Sequence, residues 1–171
     1  QAQVIFLPHG PQNIPGSNPT ALKIIRDAAS RLGLTLLEKE FSTRQELNTY
    51  MLNIKPGSID AVYRFADNFI AQNYDVIYST ARQPNLNVPV IGHSTKSLDD
   101  GGVLSYGFNP TNVGKAAAGV AYKILVKNVP PNSIPTERSY HFDLGINVRV
   151  AQKLGISVPQ SLLNQASLIV Q

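Results

Sequence analysis

The 171-residue chain contains no cysteine, which excludes disulfides, zinc thiolate sites and cysteine nucleophiles. It has no run of about 18 consecutive apolar residues, so no segment reads as a membrane-spanning helix. The formal charge is only +4, and no block of like charges or basic stripe interleaved with aromatics occurs. Lys23, Arg26, Arg31, Lys39, Arg44, Lys55, Lys115, Lys123 and Lys127 are scattered as on a solvated surface, which argues against a nucleic-acid partner. The first apolar run ends in Pro8-His9-Gly10. It carries neither the acidic pair of a phospho-receiver nor a Gly-x-Gly-x-x-Gly dinucleotide fingerprint. Six residues separate Gly107 from Gly114, where a phosphate-binding Walker loop has about four. His9, His93 and His141 are far apart and lack metal-ligand spacing, so neither metal nor cofactor is expected. Ser94, with His93 and Asp99 nearby, superficially resembles a triad, but no Gly-x-Ser-x-Gly elbow surrounds it, and no catalytic residue is assigned.

What the sequence does contain is an alternation of short apolar runs and helical periods. Val4-Ile5-Phe6-Leu7 suits a buried parallel strand. A loop rich in Pro, Gly and Asn follows, from Pro8 to Pro19. Ser17 or Asn18 is placed to cap a helix over 20–32 that Gly33 stops. Leu34 to Leu37 reads as a second strand. Ser42 or Thr43, with Glu46, forms a capping box for a helix through Leu47, Tyr50 and Met51. Ile59 to Phe65 is expected as the third strand, followed by one helix from Asp67 through Tyr78. Val88 to Gly92 and Val103 to Phe108 are the fourth and fifth strands. A helix over 110–127 should turn Val113, Ala117, Val120, Ile124 and Leu125 inward. The fold class is α/β: a doubly wound, mostly parallel sheet of about five to six strands with helices on both faces. Ligands of such sheets bind beyond the carboxyl ends of the strands.

At Val129 the composition shifts to Val-Pro-Pro-Asn-Ser-Ile-Pro, a stiff linker. Beyond it a strand (Tyr140 to Ile146), a helix (Val148 to Leu154) and a last helix opened by Pro159 and Ser161 are expected. The organisation is therefore a ligand-binding lobe over 1–128, a hinge or linker over 129–135 and a strand-helix-helix extension over 136–171.

Phe142-Asp143-Leu144-Gly145-Ile146-Asn147, then Leu154-Gly155-Ile156-Ser157-Val158-Pro159 and Ser161-Leu162-Leu163, form a distinctive string. It resembles the closing signature of the ABC-transporter substrate-binding family that includes the binding components of tryptophan and tyrosine transporters. Gly102 to Asn109, followed by Gly114 and a small-residue helix, is similar to that family's segment entering the hinge. Ala66-Asp67-Asn68 resembles its Thr-Asp-Asn, and Val88-Pro89-Val90-Ile91 its fourth strand. The match covers only the later half of a family member, so a first lobe is expected before Gln1. The resemblance implies a periplasmic-binding-protein-like type I lobe that binds an amino acid or similar small molecule non-covalently in an interlobe cleft. It also implies an ABC permease as partner. The protein would work outside the membrane, in the periplasm or extracellularly, with membrane anchoring an option.

Candidate ligand-binding residues follow from strand ends. Asp67 is placed to accept hydrogen bonds from a ligand, or simply to cap a helix. Asn68 offers both donor and acceptor. Ser17 and Asn18 correspond to the family's polar pair, in a loop whose free N–H groups suit an anion or merely form a capping turn. Ser94 and Thr95 stand where the family often carries an acidic residue, and Asn109 replaces a common Asp, which makes the site more neutral. Tyr63, Tyr106 and Phe108 offer aromatic walls or core packing. Gly107 to Asn109 and Val129 to Ile134 are expected as hinge crossings. A lone lobe would expose its cleft face and tend to self-associate. Two alternatives stay open: a sensory input domain built on the same lobe, and a small α/β enzyme using His9, Asp67 and His93.

Overall fold

The computed structural model describes residues 3–13, 15, 17–136 and 142–171. Its centre is a seven-stranded sheet in the order β2-β1-β3-β4-β5-β6-β7. The strands are β1 (Val4–His9), β2 (Thr35–Glu40), β3 (Ala61–Tyr63), β4 (Val90–Ser94), β5 (Leu104–Phe108), β6 (Phe142–Asn147) and β7 (Leu168–Val170). β1 to β5 are parallel, β6 runs antiparallel to β5, and β7 is parallel to β6. The sheet thus exceeds the expected five to six strands. The extra member is β7, a three-residue apolar run that follows the last short helix and pairs only with β6.

β1 is the strand on which the layers are built. Phe6 and Leu7 are neighbours, so they point to opposite faces, and both are 0 % exposed. A sheet covered on both sides is what the uninterrupted apolar run implied. On one side Phe6 meets Phe41 edge-on at 6.4 Å and stacks on Tyr50 at 5.5 Å. Full burial of one such side chain contributes about 2–3 kcal/mol.

The connecting helices are α1 (Pro19–Leu32), α2 (Arg44–Leu52), α3 (Asn68–Gln72), α4 (Tyr74–Ala81) and α5 (Lys96–Asp99). α2 and α4 pack together. β2 lies on the other side of β1 from β3, so right-handed crossovers require α1 on the face opposite α2 and α4. Helix starts follow the sequence closely. Asn18 Oδ1 accepts from Ala21 N at 3.1 Å. Thr43 Oγ1 accepts from Glu46 N at 3.2 Å while Glu46 reaches back to Ser42 N at 3.0 Å.

The single helix expected from Asp67 through Tyr78 is two helices. Asn73 breaks it: its side chain donates to the Phe69 carbonyl at 2.8 Å, and its backbone leaves the helical region. β3 is shorter than expected, although Asp60 N and Arg64 N on either side of it still donate to the Val4 and Ile91 carbonyls at 2.8 Å.

After β5, α6 (Pro110–Leu125) departs from expectation in its packing. None of its residues is buried, and Leu125 is 77 % exposed. The apolar residues assigned inward therefore have no covering layer among the described residues. One face of the β5–β6 ladder is equally bare: Tyr106 is 62 % exposed and stacks on the exposed Phe142 at 5.9 Å. α7 (Val148–Lys153) and α8 (Gln160–Leu163) complete the chain, linking β6 to β7. Tyr140 and His141, which open the expected strand, lie outside the described residues; from Phe142 it is observed.

Under α4 and α5 lies a buried ion pair. Arg64 Nη1 is 3.6 Å from Asp100 Oδ2, both side chains 9 % exposed, and it donates to Ser97 Oγ at 3.1 Å. The guanidinium also lies over the Tyr74 ring at 5.3 Å. α5 approaches β4 closely enough that a Cβ at Gly92 would overlap Ser97. Asp100→Ala would leave the Arg64 charge buried and uncompensated. We expect a loss of about 3 kcal/mol in chemical denaturation; a loss below about 1 kcal/mol would place the pair in effectively aqueous surroundings.

Candidate functional site

The strand order reverses direction between β1 and β3. Loops leaving the carboxyl ends of two such strands go to opposite faces, which opens a crevice between them. The loop after β1 begins at Gly10, and the segment after β3 reaches Asp67.

Asp67 joins these two loops. The residue is 7 % exposed. Its Oδ1 accepts from Ile70 N at 2.7 Å, capping α3, and its Oδ2 accepts from Gly10 N at 2.8 Å. Both carboxylate oxygens are engaged with backbone, as the capping alternative requires. Asn68, the next residue, is exposed and its side chain has no partner among the described residues. Ser17 donates to the Gln12 carbonyl at 2.9 Å. Ser17, Asp67 and Asn68 line one small crevice with Gly10, Pro11, Pro15 and Phe69. The structure therefore brings three of the candidates together. Asn18 belongs to the neighbouring cap, where its oxygen serves α1.

The remaining candidates lie further along the sheet. Tyr63 is half-buried on β3, opposite Ile91 in register, and burial pushes its phenol up from the usual range. Ser94 is buried at the end of β4, beside Phe108 across a break in register. Phe108 is exposed, with its ring 6.1 Å from that of His93. Asn109 is occupied at both ends. Its oxygen accepts from Thr111 N at 2.9 Å to cap α6, and its nitrogen donates to Asp143 Oδ2 at 2.7 Å. It thus ties the exit from β5 to the start of β6.

The histidines are held separately. His93 Nδ1 donates to the Arg64 carbonyl at 3.3 Å; burial, aided by the Arg64 charge, lowers its pKa from the ordinary value. His9 is buried, with Nδ1 2.8 Å from the Gly10 carbonyl and Nε2 3.2 Å from Glu38. Arg26 grips both oxygens of Glu38. No hydrogen bond joins His9, Asp67 and His93 to one another among the described residues. No group of three His, Asp or Glu residues among the described residues could hold a metal ion.

Sequence reasoning missed Gly10 and Phe69 as walls of the crevice and the Arg26–Glu38–His9 chain beside it. The readable signal for Gly10 was its place directly after the first apolar run. The chain of charges spans three elements and leaves no local pattern.

The ABC transporter substrate binding protein profile matches residues 15–170. The chain belongs to this family. Among solved structures, a conserved domain protein of Vibrio cholerae is 24 % identical, with a TM-score of 0.82 over 98 % of this chain and 55 % of its own. The ABC domain from Streptococcus pneumonia in complex with L-Trp is 20 % identical, with a TM-score of 0.81 over 99 % of this chain and 55 % of its own. The ligand-free, open substrate binding protein with adhesive properties from Clostridium difficile is 21 % identical, with a TM-score of 0.73 over 100 % of this chain and 55 % of its own. The chain thus spans about half the length of these structures, and the likeness shows a shared fold. No curated protein matches the sequence.

Two outcomes test the local geometry. Asp67→Ala removes a buried cap and orphans Gly10 N, and should cost about 2 kcal/mol in denaturant unfolding; a cost under about 0.5 kcal/mol would mean the two loops hold without it. The second concerns Glu38, whose carboxyl the Arg26 guanidinium holds below the usual range against the opposing desolvation. A depressed carboxylate stabilises the fold above its unfolded pKa of about 4.3, and that contribution fades as pH falls through the folded value. Arg26→Ala should therefore destabilise by about 0.5 kcal/mol at neutral pH, as exposed pairs do. The difference from the parent should shrink in thermal melts as the pH falls below the unfolded value and through Glu38's lowered folded one. A difference unchanged at low pH would assign the effect to lost packing.

Proposed function

We propose that this chain is the ligand-binding lobe of the solute-binding component of an ABC importer. It takes up a small molecule non-covalently and delivers it, outside the membrane, to a permease. The observation that carries this reading is the crevice at the strand-order reversal, where Asn68 presents an unpartnered amide beside Ser17 and Phe69. Asp67 positions that amide without being consumed by a ligand.

The crevice is small, about 10 Å³, whereas sites that enclose a small molecule run to about 300–1,000 Å³. One wall of a site is what such a surface supplies. Closure of a second lobe over it would complete the enclosure and select the solute through contacts made only in the closed state. The uncovered faces of α6 and of the β5–β6 ladder support the same reading, because both carry apolar side chains that a further lobe would bury. In this scheme 1–128 is the lobe and 129–135 a hinge crossing. The Asn109–Asp143 bond holds the outward and returning strands together. The neutral rim, with Ser94 in place of an acidic residue, suits a solute recognised by hydrogen bonds, with Phe69 and Phe108 as apolar walls. An amino acid or a relative is the first class to test, given that one structural neighbour is described in complex with L-Trp.

The test is a thermal-shift screen of the full-length protein against amino acids, nucleosides and small organic acids. A ligand that binds only the native state at about 100 times its Kd adds about 2.7 kcal/mol, a shift of several degrees. Asn68→Ala should leave the unliganded melting temperature in place and remove most of the shift. If no class stabilises the protein while a hydrolase substrate panel is turned over, the transport reading is wrong.

A further inference from the structure

At the opposite pole of the sheet, under the amino ends of β4 and β5, lies a separate cavity of about 540 Å³. Arg82, Arg149 and Lys153 line it, with Asp99 as the single carboxylate among its described lining residues. Its floor is apolar, made by Val90, Leu98 and Leu154. We infer that this cavity binds an organic anion with an apolar body, the anionic group held by Arg82, Arg149 and Lys153 and the body seated on the floor.

Three observations lead there. First, Arg82 is fixed in place. Its guanidinium donates to the Asp100 carbonyl at 3.0 Å and lies over the Tyr78 ring at 6.0 Å. It occupies the space a side chain would take at Gly101, whose φ of +103° is itself a conformation that disfavours other residues. A guanidinium fixed this way offers its remaining N–H groups to a planar anion at little entropic cost. Second, Arg149 and Lys153 stand four residues apart on α7, on the same side of the helix, and neither has a partner among the described residues. Like charges at that spacing repel, and one carboxylate cannot balance three cations in a concave surface that concentrates their field. A bound anion would remove that repulsion. Third, the floor is rigid. The buried Asn147 amide donates to the Leu98 carbonyl at 3.3 Å and accepts from Val150 N at 3.0 Å, locking β6, α5 and α7 around it.

The volume lies within the range of sites for small organic molecules. Charge and floor together define the class: a carboxylate on a hydrocarbon or aryl body fits both, whereas a cation or a wholly polar ion satisfies only one or neither. The site is distinct from the crevice beside Asn68, which lies at the carboxyl ends of the strands.

Sodium octanoate is the probe, octylammonium chloride the charge control, and the full-length protein the subject, followed by calorimetry and amide NMR. Octanoate should bind saturably and shift the amides of Gly101 and Val150 but not those of Gly10 or Asn68. The double variant Arg149→Ala/Lys153→Ala changes only exposed side chains without a partner among the described residues and should melt no lower than the parent, yet weaken octanoate at least tenfold. The inference is overturned if octanoate does not saturate, if octylammonium binds equally well, if the double variant binds unchanged, or if the shifts gather at Gly10 and Asn68. Only shifts at Gly10 and Asn68 would bear on the solute screen, by assigning the acid to the crevice; failure at the lower cavity leaves that reading standing.

Discussion

A carboxylate that accepts two backbone N–H groups from different loops holds the candidate site in place. Asp67 takes one hydrogen bond from Gly10, after β1, and one from Ile70, in the first turn of α3. Loops that leave neighbouring strands toward opposite faces have no ladder to keep them in register. A buried, doubly accepting carboxylate supplies that registration, because each N–H left unpaired would carry a desolvation cost. The exposed amide of Asn68 and the ring of Phe69 inherit their positions from it. A residue that looked like a ligand contact is thus the support on which a contact stands.

The rest of the molecule divides by coverage. From β1 to β4 the sheet is shielded on both faces, with β2 a part-buried edge, and the largest buried side chains gather around Phe6, Phe41 and Val62. From β5 outward one face is uncovered, and α6 has no buried residue. Alternation in β5 records the change: Ser105 and Gly107 are buried while Tyr106 and Phe108 are exposed. With small residues turned toward α5 and aromatics turned outward, the strand presents two different faces, and the outer one has no covering layer among the described residues.

Much of this was legible in the sequence, and the exceptions have a common physical origin. β1, α1 and α2 could be read because a buried strand, a capping Asn before a Pro, and a Thr with Glu three residues on are local signals. The break at Asn73 was hidden because helical periodicity continues across it; only the side chain's bond to the Phe69 carbonyl ends the first helix. β7 was hidden because a three-residue run carries no period and exists as a strand only through its partner β6. Inward faces for α6 were inferred from amphipathicity, which says which side of a helix seeks cover but not whether cover is at hand. The Arg64–Asp100 pair, the Asn109–Asp143 bond and the Arg82–Asp100 bond beside the lower cavity join residues 18 or more positions apart, beyond the reach of any motif.

The antiparallel pairing of β5 with β6 has a mechanical corollary. Phe108 and Phe142 face each other in register, so the chain departs for α6 and comes back through adjacent points of the sheet. Antiparallel neighbours sit about 5 Å apart, a gap that a two-residue turn also spans. α6, which lies between them in the chain, is therefore tied to the sheet at two closely spaced points.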